Sequence, residues 1–214
     1  MKFYGGQTVF VAARFHGART SFEWAQFHGE RMLFGWAQFR SKRTSFDSAR
    51  FHGASVMFER AVFHSEQTSF SGSLFDSGRT LFERAQFRGK RTYFGGPRGG
   101  SLFLGKRTSF CGSEFRSEQT SFGGSEFRNE QTSFGGAEFH GERTSFGGVK
   151  FRSEYTSFGK VQFRSEHTSF DSPVAWNNVY FDWDTPIPYA VTANKPRSVS
   201  PQDWPPAIEQ SSQS

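Results

Sequence analysis

The sequence predicts an all-β solenoid with a core of stacked Phe rings, and three observations support this class. All Phe residues except Phe181 follow steps of 5 and 7 residues in alternation, with one interruption, which gives a period of 12. The residue two positions before each Phe is usually Thr or a small residue. Turn-forming residues such as Gly123-Gly124 follow the Phe residues. A fixed short period of this kind is typical of coils that stack on one another.

Each repeat contains two short strands, and each strand ends at a Phe. Residues i−2 and i of a strand point to the same face, so the segments Thr44-Ser45-Phe46 and Ala25-Gln26-Phe27 place a small residue and a ring on the inward face. The residue between them points outward and is mostly polar. Helices are excluded, because steps of 5 and 7 do not keep one face at 3.6 residues per turn and because frequent Gly weakens a helix.

The rhythm is interrupted once. The step from Phe94 to Phe103 is 9 residues where 5 is due, so four residues are inserted within Gly95–Gly100. The Gly and Pro residues of this segment predict a loop that bulges from an otherwise continuous repeat.

The repeat unit resembles a known family. Units such as Ala137-Glu138-Phe139-His140-Gly141 resemble the pentapeptide-repeat consensus, in which a small residue stands two places before a central Leu or Phe. The 5/7 alternation is similar to that of the Phe-rich pentapeptide-repeat proteins of actinobacteria, from residue 3 to about residue 186. This resemblance implies a right-handed quadrilateral β-helix. The chain departs from the family in its Ser-Glu-Gln-Thr and Gly-Glu-Arg-Thr segments, which make the surface more charged.

The perimeter of the coil has two solutions. Two repeats could close a 24-residue coil with four Phe inside, which gives a rod of roughly 34 Å at ~4.8 Å per coil. A flattened 12-residue coil with two facing Phe would be roughly 67 Å long at the same spacing. We identify no feature that alternates with a period of 24, and we favour the larger coil because two rings would be crowded in the smaller one.

Composition excludes several classes of protein. The single Cys, Cys111, excludes an intrachain disulfide and a Cys-clustered metal site. The chain has no apolar run long enough to span a membrane and no apolar secretory segment at its start, so we expect a cytoplasmic protein. The net charge is +6, and because residues 171–214 hold 2 basic and 5 acidic residues, residues 1–170 carry +9.

Outward positions of the repeat form columns of charge. Eleven of the 13 residues that follow the Phe reached by a step of 5, counted from His16, are Arg or His. These residues predict a surface for an anionic partner. The alternative is a solvated wall that prevents sideways association, since neighbouring Glu residues weaken the field. The candidate binding residues are Arg31, Arg40, Arg43, Arg88, Arg116, Arg128, Arg152 and Arg164.

The pattern predicts no catalytic residue, no metal site and no cofactor, and therefore not an enzyme. The His residues of an outward column diverge, whereas metal ligands must converge. The Ser of each Thr-Ser-Phe segment points out from a flat wall, and no repeat departs from the pattern to form a special site. Trp24 and Trp36 occupy the same slot one repeat apart, where they are expected to stack on each other or to cover an edge.

Three regions are expected along the chain: a solenoid over 1–170, a C-terminal cap over 171–192 and a flexible tail over 193–214. Seven of the eight Pro lie at 173–206, and Trp176 and Trp183 suit a cap that hides the last Phe layer. Trp204 in the tail is a candidate docking point. The first coil has no comparable cap, which predicts an end-to-end homodimer or a truncated reading frame.

These features favour a non-catalytic binding or scaffold module, with protein as the favoured partner. Binding of nucleic acid or of an anionic surface through the Arg/His columns is the alternative. A topoisomerase-interacting DNA mimic, known in the pentapeptide-repeat family, is the third interpretation, and the basic charge of residues 1–170 argues against it.

Overall fold

The protein is a four-sided β-solenoid. A computed structural model describes residues 1–96, 99–184 and 194–208, and all regular elements in these ranges are β-strands. Strand pairing aligns Phe3 with Phe27 and Phe15 with Phe39, so equivalent residues of successive coils lie 24 positions apart. The prediction of a 24-residue coil is confirmed, and the 12-residue alternative is wrong. We name coils 1–7 as residues 1–24, 25–48, 49–72, 73–100, 101–124, 125–148 and 149–172.

Sides 1 and 2 of the coils form one twelve-stranded parallel sheet. In coils 3–6 a single long strand covers both sides. The strands are β1 (Lys2–Tyr4), β2 (Gln7–Val9), β5 (Gln26–His28), β6 (Arg31–Leu33), β9 (Arg50–Met57), β12 (Leu74–Leu81), β17 (Leu102–Ser109), β20 (Glu126–Ser133), β23 (Lys150–Phe151), β24 (Tyr155–Ser157), β27 (Ala175–Trp176) and β28 (Val179–Tyr180).

Sides 3 and 4 are separate parallel sheets of seven and eight strands. Side 3 contains β3 (Arg14–Phe15), β7 (Gln38–Phe39), β10 (Val62–Phe63), β13 (Gln86–Phe87), β18 (Glu114–Phe115), β21 (Glu138–Phe139) and β25 (Gln162–Phe163). Side 4 contains β4 (Arg19–Ser21), β8 (Arg43–Ser45), β11 (Gln67–Ser69), β14 (Arg91–Tyr93), β19 (Gln119–Ser121), β22 (Arg143–Ser145), β26 (His167–Ser169) and β29 (Val199–Ser200).

The insertion lies where the repeat predicts it. Its ends form a short antiparallel pair, β15 (Gly95–Gly96) and β16 (Gly99–Gly100). Phe75 of β12 aligns with Phe103 of β17, 28 positions on, so the four additional residues leave the register of the coils unchanged.

The core consists of Phe columns that run along the solenoid axis. Phe87, Phe115 and Phe139 stack at centroid distances of 4.8 and 4.7 Å with their planes within 3°. Rings of neighbouring columns meet edge to face, as Phe115 and Phe122 do at 5.6 Å. Both arrangements are favourable for aromatic pairs. The inward position of the Phe rings, and of Thr two residues before them, is confirmed by their burial.

Inward Thr hydroxyls pair with Ser hydroxyls at the corner between sides 3 and 4. Thr144 Oγ1 lies 2.8 Å from Ser165 Oγ in the next coil. The equivalent Thr120 faces Gly141 at the position of the Ser, and its buried hydroxyl has no hydrogen-bond partner among the described residues. The two threonines are aligned in adjacent strands of side 4, so they form a matched pair.

Replacing Thr120 by Val is expected to raise the free energy of unfolding by about 1 kcal/mol, because it removes an unsatisfied hydroxyl. Replacing Thr144 by Val should lower it by about 1–2 kcal/mol, because Ser165 loses its partner. Urea denaturation of the two variants measures both values, and a change of the same sign in both would contradict this account of the pairs.

The cap closes the solenoid with residues from two segments. Phe181 continues the ladder at 4.5 Å from Phe158, and β29 pairs with β26 of side 4. Trp204 lies edge-on to Phe170 at 5.8 Å. Its Nε1 donates a hydrogen bond of 2.6 Å to Asp184, whose pKa is raised by burial against this bond.

These contacts extend the cap beyond the predicted boundary at residue 193. Val199, Ser200 and Trp204, in the region where a flexible tail was expected, contact the last coil. The other residues of the expected cap and tail, 185–193 and 209–214, lie outside the described ranges. At the opposite end, Phe3, Phe10 and Phe15 of coil 1 are only partly buried. The described part of the chain contains no apolar helix of membrane-spanning length.

Candidate functional site

The 24-residue coil separates the predicted Arg/His column into two columns on opposite sides. The column on side 3 consists entirely of Arg and His: His16, Arg40, His64, Arg88, Arg116, His140 and Arg164. The column on side 1 holds Tyr4, His28, His52, Asp76, Leu104, Arg128 and Arg152. Both exceptions to the Arg/His pattern, Asp76 and Leu104, therefore lie on side 1. Because successive repeats fall alternately on sides 1 and 3, the two sides differ in a way that depends on the 24-residue coil and not on the 12-residue repeat.

The eight candidate arginines are divided in the same way. Arg40, Arg88, Arg116 and Arg164 share the column on side 3, and Arg43 is the first residue of the neighbouring strand on side 4. Arg128 and Arg152 lie on side 1 and Arg31 lies on side 2. The structure brings the first five together on one side and its corner, and it places the other three elsewhere.

Side 3 carries an excess of positive charge in coils 1–4. We define the basic strip by five positions per coil over coils 1–4, which in coil 2 are Trp36, Gln38, Arg40, Lys42 and Arg43. Glu59 and Glu83, the first residues of the turns before side 3 in coils 3 and 4, border the strip and are not part of it. Its single acidic residue is Glu66, and its basic residues are all exposed. They are Arg14, Arg19, Arg40, Lys42, Arg43, Arg60, Arg84, Arg88, Lys90 and Arg91.

The same five positions in coils 5–7 are different. They hold four basic residues, Arg116, Arg143, Lys160 and Arg164, and five acidic ones, Glu114, Glu118, Glu138, Glu142 and Glu166. Arg116 pairs with Glu114 at 2.9 Å, and His140 contacts Glu138 at 3.0 Å. The hydrogen bond from His140 is the main cause that keeps the pKa of Glu138 below its ordinary value. Positive charge is therefore concentrated in the N-terminal four coils of this side, which the total charge of the repeats does not reveal.

Two basic clusters border a groove within the strip. Arg40, Lys42 and Arg43 in coil 2 recur as Arg88, Lys90 and Arg91 in coil 4. Two coil spacings, about 10 Å, separate the clusters. The groove between them has a volume of about 400 Å³ and is lined by Ala18, Lys42, Arg43, Glu66, Gln67, Lys90 and Arg91.

Burial and two neighbouring arginines act together on His64 of the strip. The pKa of His64 is lowered by partial burial of the ring and, secondarily, by Arg88 and Arg40 on the two sides of it. A bound anion would oppose this effect, because it neutralises the two guanidinium groups. Arg40 and Arg88 thus lie close enough to His64 for their charges to act on it.

The turn that precedes side 3 adds an aromatic ring to the strip. The turn consists of the two residues after a Phe, and the second of them has a left-handed backbone in each of coils 1–4. The φ values are +55° at Ala12, +59° at Trp36, +54° at Arg60 and +55° at Arg84. Gly112 and Gly136 take this position in coils 5 and 6. A residue other than Gly pays about 1 kcal/mol for this conformation. Coils 2–4 nevertheless keep Trp36, Arg60 and Arg84 there, and coil 7 keeps Lys160, whose φ is +57°.

Trp24 and Trp36 do not stack on each other. They lie half a coil apart, in turns at diagonal corners, and the guanidinium of Arg60 lies over the Trp36 ring at 4.6 Å from its centroid. Both indoles are largely exposed, with 66% of Trp24 and 55% of Trp36 accessible.

The outward serines and histidines have structural surroundings. In side 2, the backbone N–H of Gly135 donates to Ser133 Oγ at 3.2 Å and that of Gly159 to Ser157 Oγ at 3.2 Å. Within residues 1–96, 99–184 and 194–208, no three His, Cys, Asp or Glu side chains lie close enough to hold a metal ion.

Comparison of the chain with protein-family models, with curated proteins and with solved structures gives no match. The observed coil, a β-solenoid with regular Phe ladders, is consistent with a pentapeptide-repeat-like protein.

Proposed function

We propose that this protein is a non-catalytic binding or scaffold solenoid whose basic strip holds an anionic macromolecule. The observation that carries the proposal is the segregation of charge on side 3, with ten basic residues and one acidic residue in coils 1–4 against four and five in coils 5–7. A surface that serves only to keep the solenoid solvated would not require basic residues in coils 1–4 and acidic residues in coils 5–7. A stiff wall with fixed positive columns attracts and orients a negative partner.

Three further expectations remain proposals: kinship with the Phe-rich pentapeptide-repeat proteins of actinobacteria, a cytoplasmic location and an end-to-end homodimer. Binding of an anion by the basic strip depends on none of them. Mimicry of DNA toward a topoisomerase is disfavoured, because it requires an acidic surface and the strip is basic.

The proposal predicts that binding depends on where the charges lie and not on their total. Replacing Arg40, Lys42, Arg88 and Lys90 by Ser should weaken binding to anionic polymers at least about tenfold at low salt. The control replaces Arg116, Arg128, Arg152 and Arg164 by Ser, which removes the same charge elsewhere on the solenoid and should change affinity little.

Fluorescence anisotropy with labelled oligoglutamate and labelled oligothymidylate measures both variants. Equal weakening of the two variants would mean that binding follows net charge alone. If the unmodified protein bound neither polymer, the proposed function would be wrong.

A further inference from the structure

Trp36 projects from the basic strip beside two hollows. One hollow, of about 690 Å³, is lined by Trp36, Glu59, Arg60, Glu83, Arg84, Cys111 and Gly112. The other, of about 520 Å³, is lined by Trp36, Arg60, Val62, Arg84, Gln86, Gly112 and Glu114. Both extend from the strip to Gly112 in coil 5. Three acidic residues also line them, Glu59 and Glu83 in the first and Glu114 in the second, and the two basic clusters lie outside both linings.

The Trp36 ring is presented for stacking. Arg60 covers one face, and the residue at the same turn position in coil 1 is Ala12, whose methyl group is too small to cover the other. The left-handed backbone of Trp36, with φ of +59°, holds the indole out from the corner. Exposed indoles and guanidinium groups stack on flat π-systems in water.

Resting on the proposed function, we infer that the anionic partner of the basic strip is a single-stranded nucleic acid, with a base stacked on Trp36 and phosphates at the clusters Arg40–Lys42–Arg43 and Arg88–Lys90–Arg91. A stacking ring beside a track of cations is the arrangement that such strands use. DNA and RNA share the base and the phosphate, so the inference covers both.

Two other anionic partners use this surface less completely. Duplex nucleic acid keeps its bases stacked inside, so Trp36 would have no base to meet. An acidic protein offers carboxylates to the clusters but no planar base to the indole. Either partner would depend on the charges of the strip and be indifferent to Trp36.

The test exploits the left-handed turn. Trp36→Gly removes the ring at a position where Gly is favoured, so the variant should fold at least as well as the parent protein, which thermal unfolding checks. Trp24→Gly is the matched control, because Trp24 has nearly the same φ, +57°, and similar exposure but lies at the diagonal corner. Trp36→Phe keeps an aromatic ring and should retain much of the affinity.

Affinities are measured by anisotropy for oligo(dT), oligo(U), a DNA duplex and oligoglutamate of matched charge. Trp36→Gly should weaken binding of the two single strands about tenfold and leave the duplex and the peptide unchanged. Trp24→Gly should alter none of them. Replacing Arg40 and Arg88 by Ser should also reduce the salt dependence of oligo(dT) binding, by about 0.7 in log–log slope for each phosphate that the variant no longer neutralises.

The outcomes distinguish a failure of the single-strand inference from a failure of the proposed function. If oligoglutamate or the duplex bound as tightly as the single strands, or if Trp36→Gly had no effect on single strands, the inference would be overturned while the proposed function stood. If one of the two single strands alone bound through Trp36, the inference would hold for that sugar. If no anionic polymer bound, both would fail.

Discussion

Replacing Phe115 by Ala should lower the free energy of unfolding by about 3–5 kcal/mol. Phe115 is fully buried in the middle of the side 3 column, between Phe87 at 4.8 Å and Phe139 at 4.7 Å. Its ring also meets Phe110 and Phe122 of neighbouring columns. The stacked coils above and below are fixed by backbone hydrogen bonds, so they cannot collapse into the space, and the cost includes the cavity.

Phe15→Ala is the control for this prediction. Phe15 belongs to the same column but lies in coil 1, where it stacks on Phe39 alone at 4.8 Å and is partly exposed. Its loss should therefore cost clearly less. Urea denaturation gives both values, and equal costs would show that the stack on both faces of a ring does not decide the stability of the core.

Replacing Trp204 by Ala is the second large effect, a loss of about 3 kcal/mol. Trp204 covers the end of the Phe ladder, with edge contacts to Phe170 at 5.8 Å and Phe181 at 5.0 Å. It also donates a hydrogen bond to Asp184. Its removal exposes the last aromatic layer and leaves that carboxyl without one of its donors.

Trp24→Ala serves as the comparison, because Trp24 is largely exposed and its substitution should change stability by less than about 0.5 kcal/mol. Chemical denaturation combined with limited proteolysis reports both global stability and opening at the C-terminal end. Unchanged stability and proteolysis in Trp204→Ala would restore the expectation that residues from 193 onward are a flexible tail.

The elements that the sequence predicts well are those set by local chemistry. The step from one Phe to the next fixes the length of each strand and turn, so the inward rings, the inward Thr and the insertion between Phe94 and Phe103 lie where the pattern places them. Alternation of side chains along a strand needs no information from distant residues. The same holds for the absence of helices from the described chain.

The candidate site was predicted only in part. The abundance of Arg and His in outward columns is readable from the repeat, but eight arginines chosen along one linear pattern fall on different sides of the coil. Lys42, Lys90 and Trp36 join the candidate site only when side 3 is seen as a surface. The clue was present in the sequence, since Asp76 and Leu104, the two exceptions to the Arg/His pattern, lie two repeats apart, a separation of 28 positions because of the insertion.

By itself, the sequence determined the period, the residues that face the core and the total charge, because each depends on the preferences of a few adjacent residues. Only the tertiary structure decided the perimeter of the coil, the division of the Arg/His pattern between sides 1 and 3, and the packing of Trp204 on Phe170. Those features depend on which strands, 24 residues or more apart, form hydrogen bonds with each other. A 12-residue repeat is compatible with more than one such pairing, and the choice is made by how the rings fill the space that the closed coil encloses.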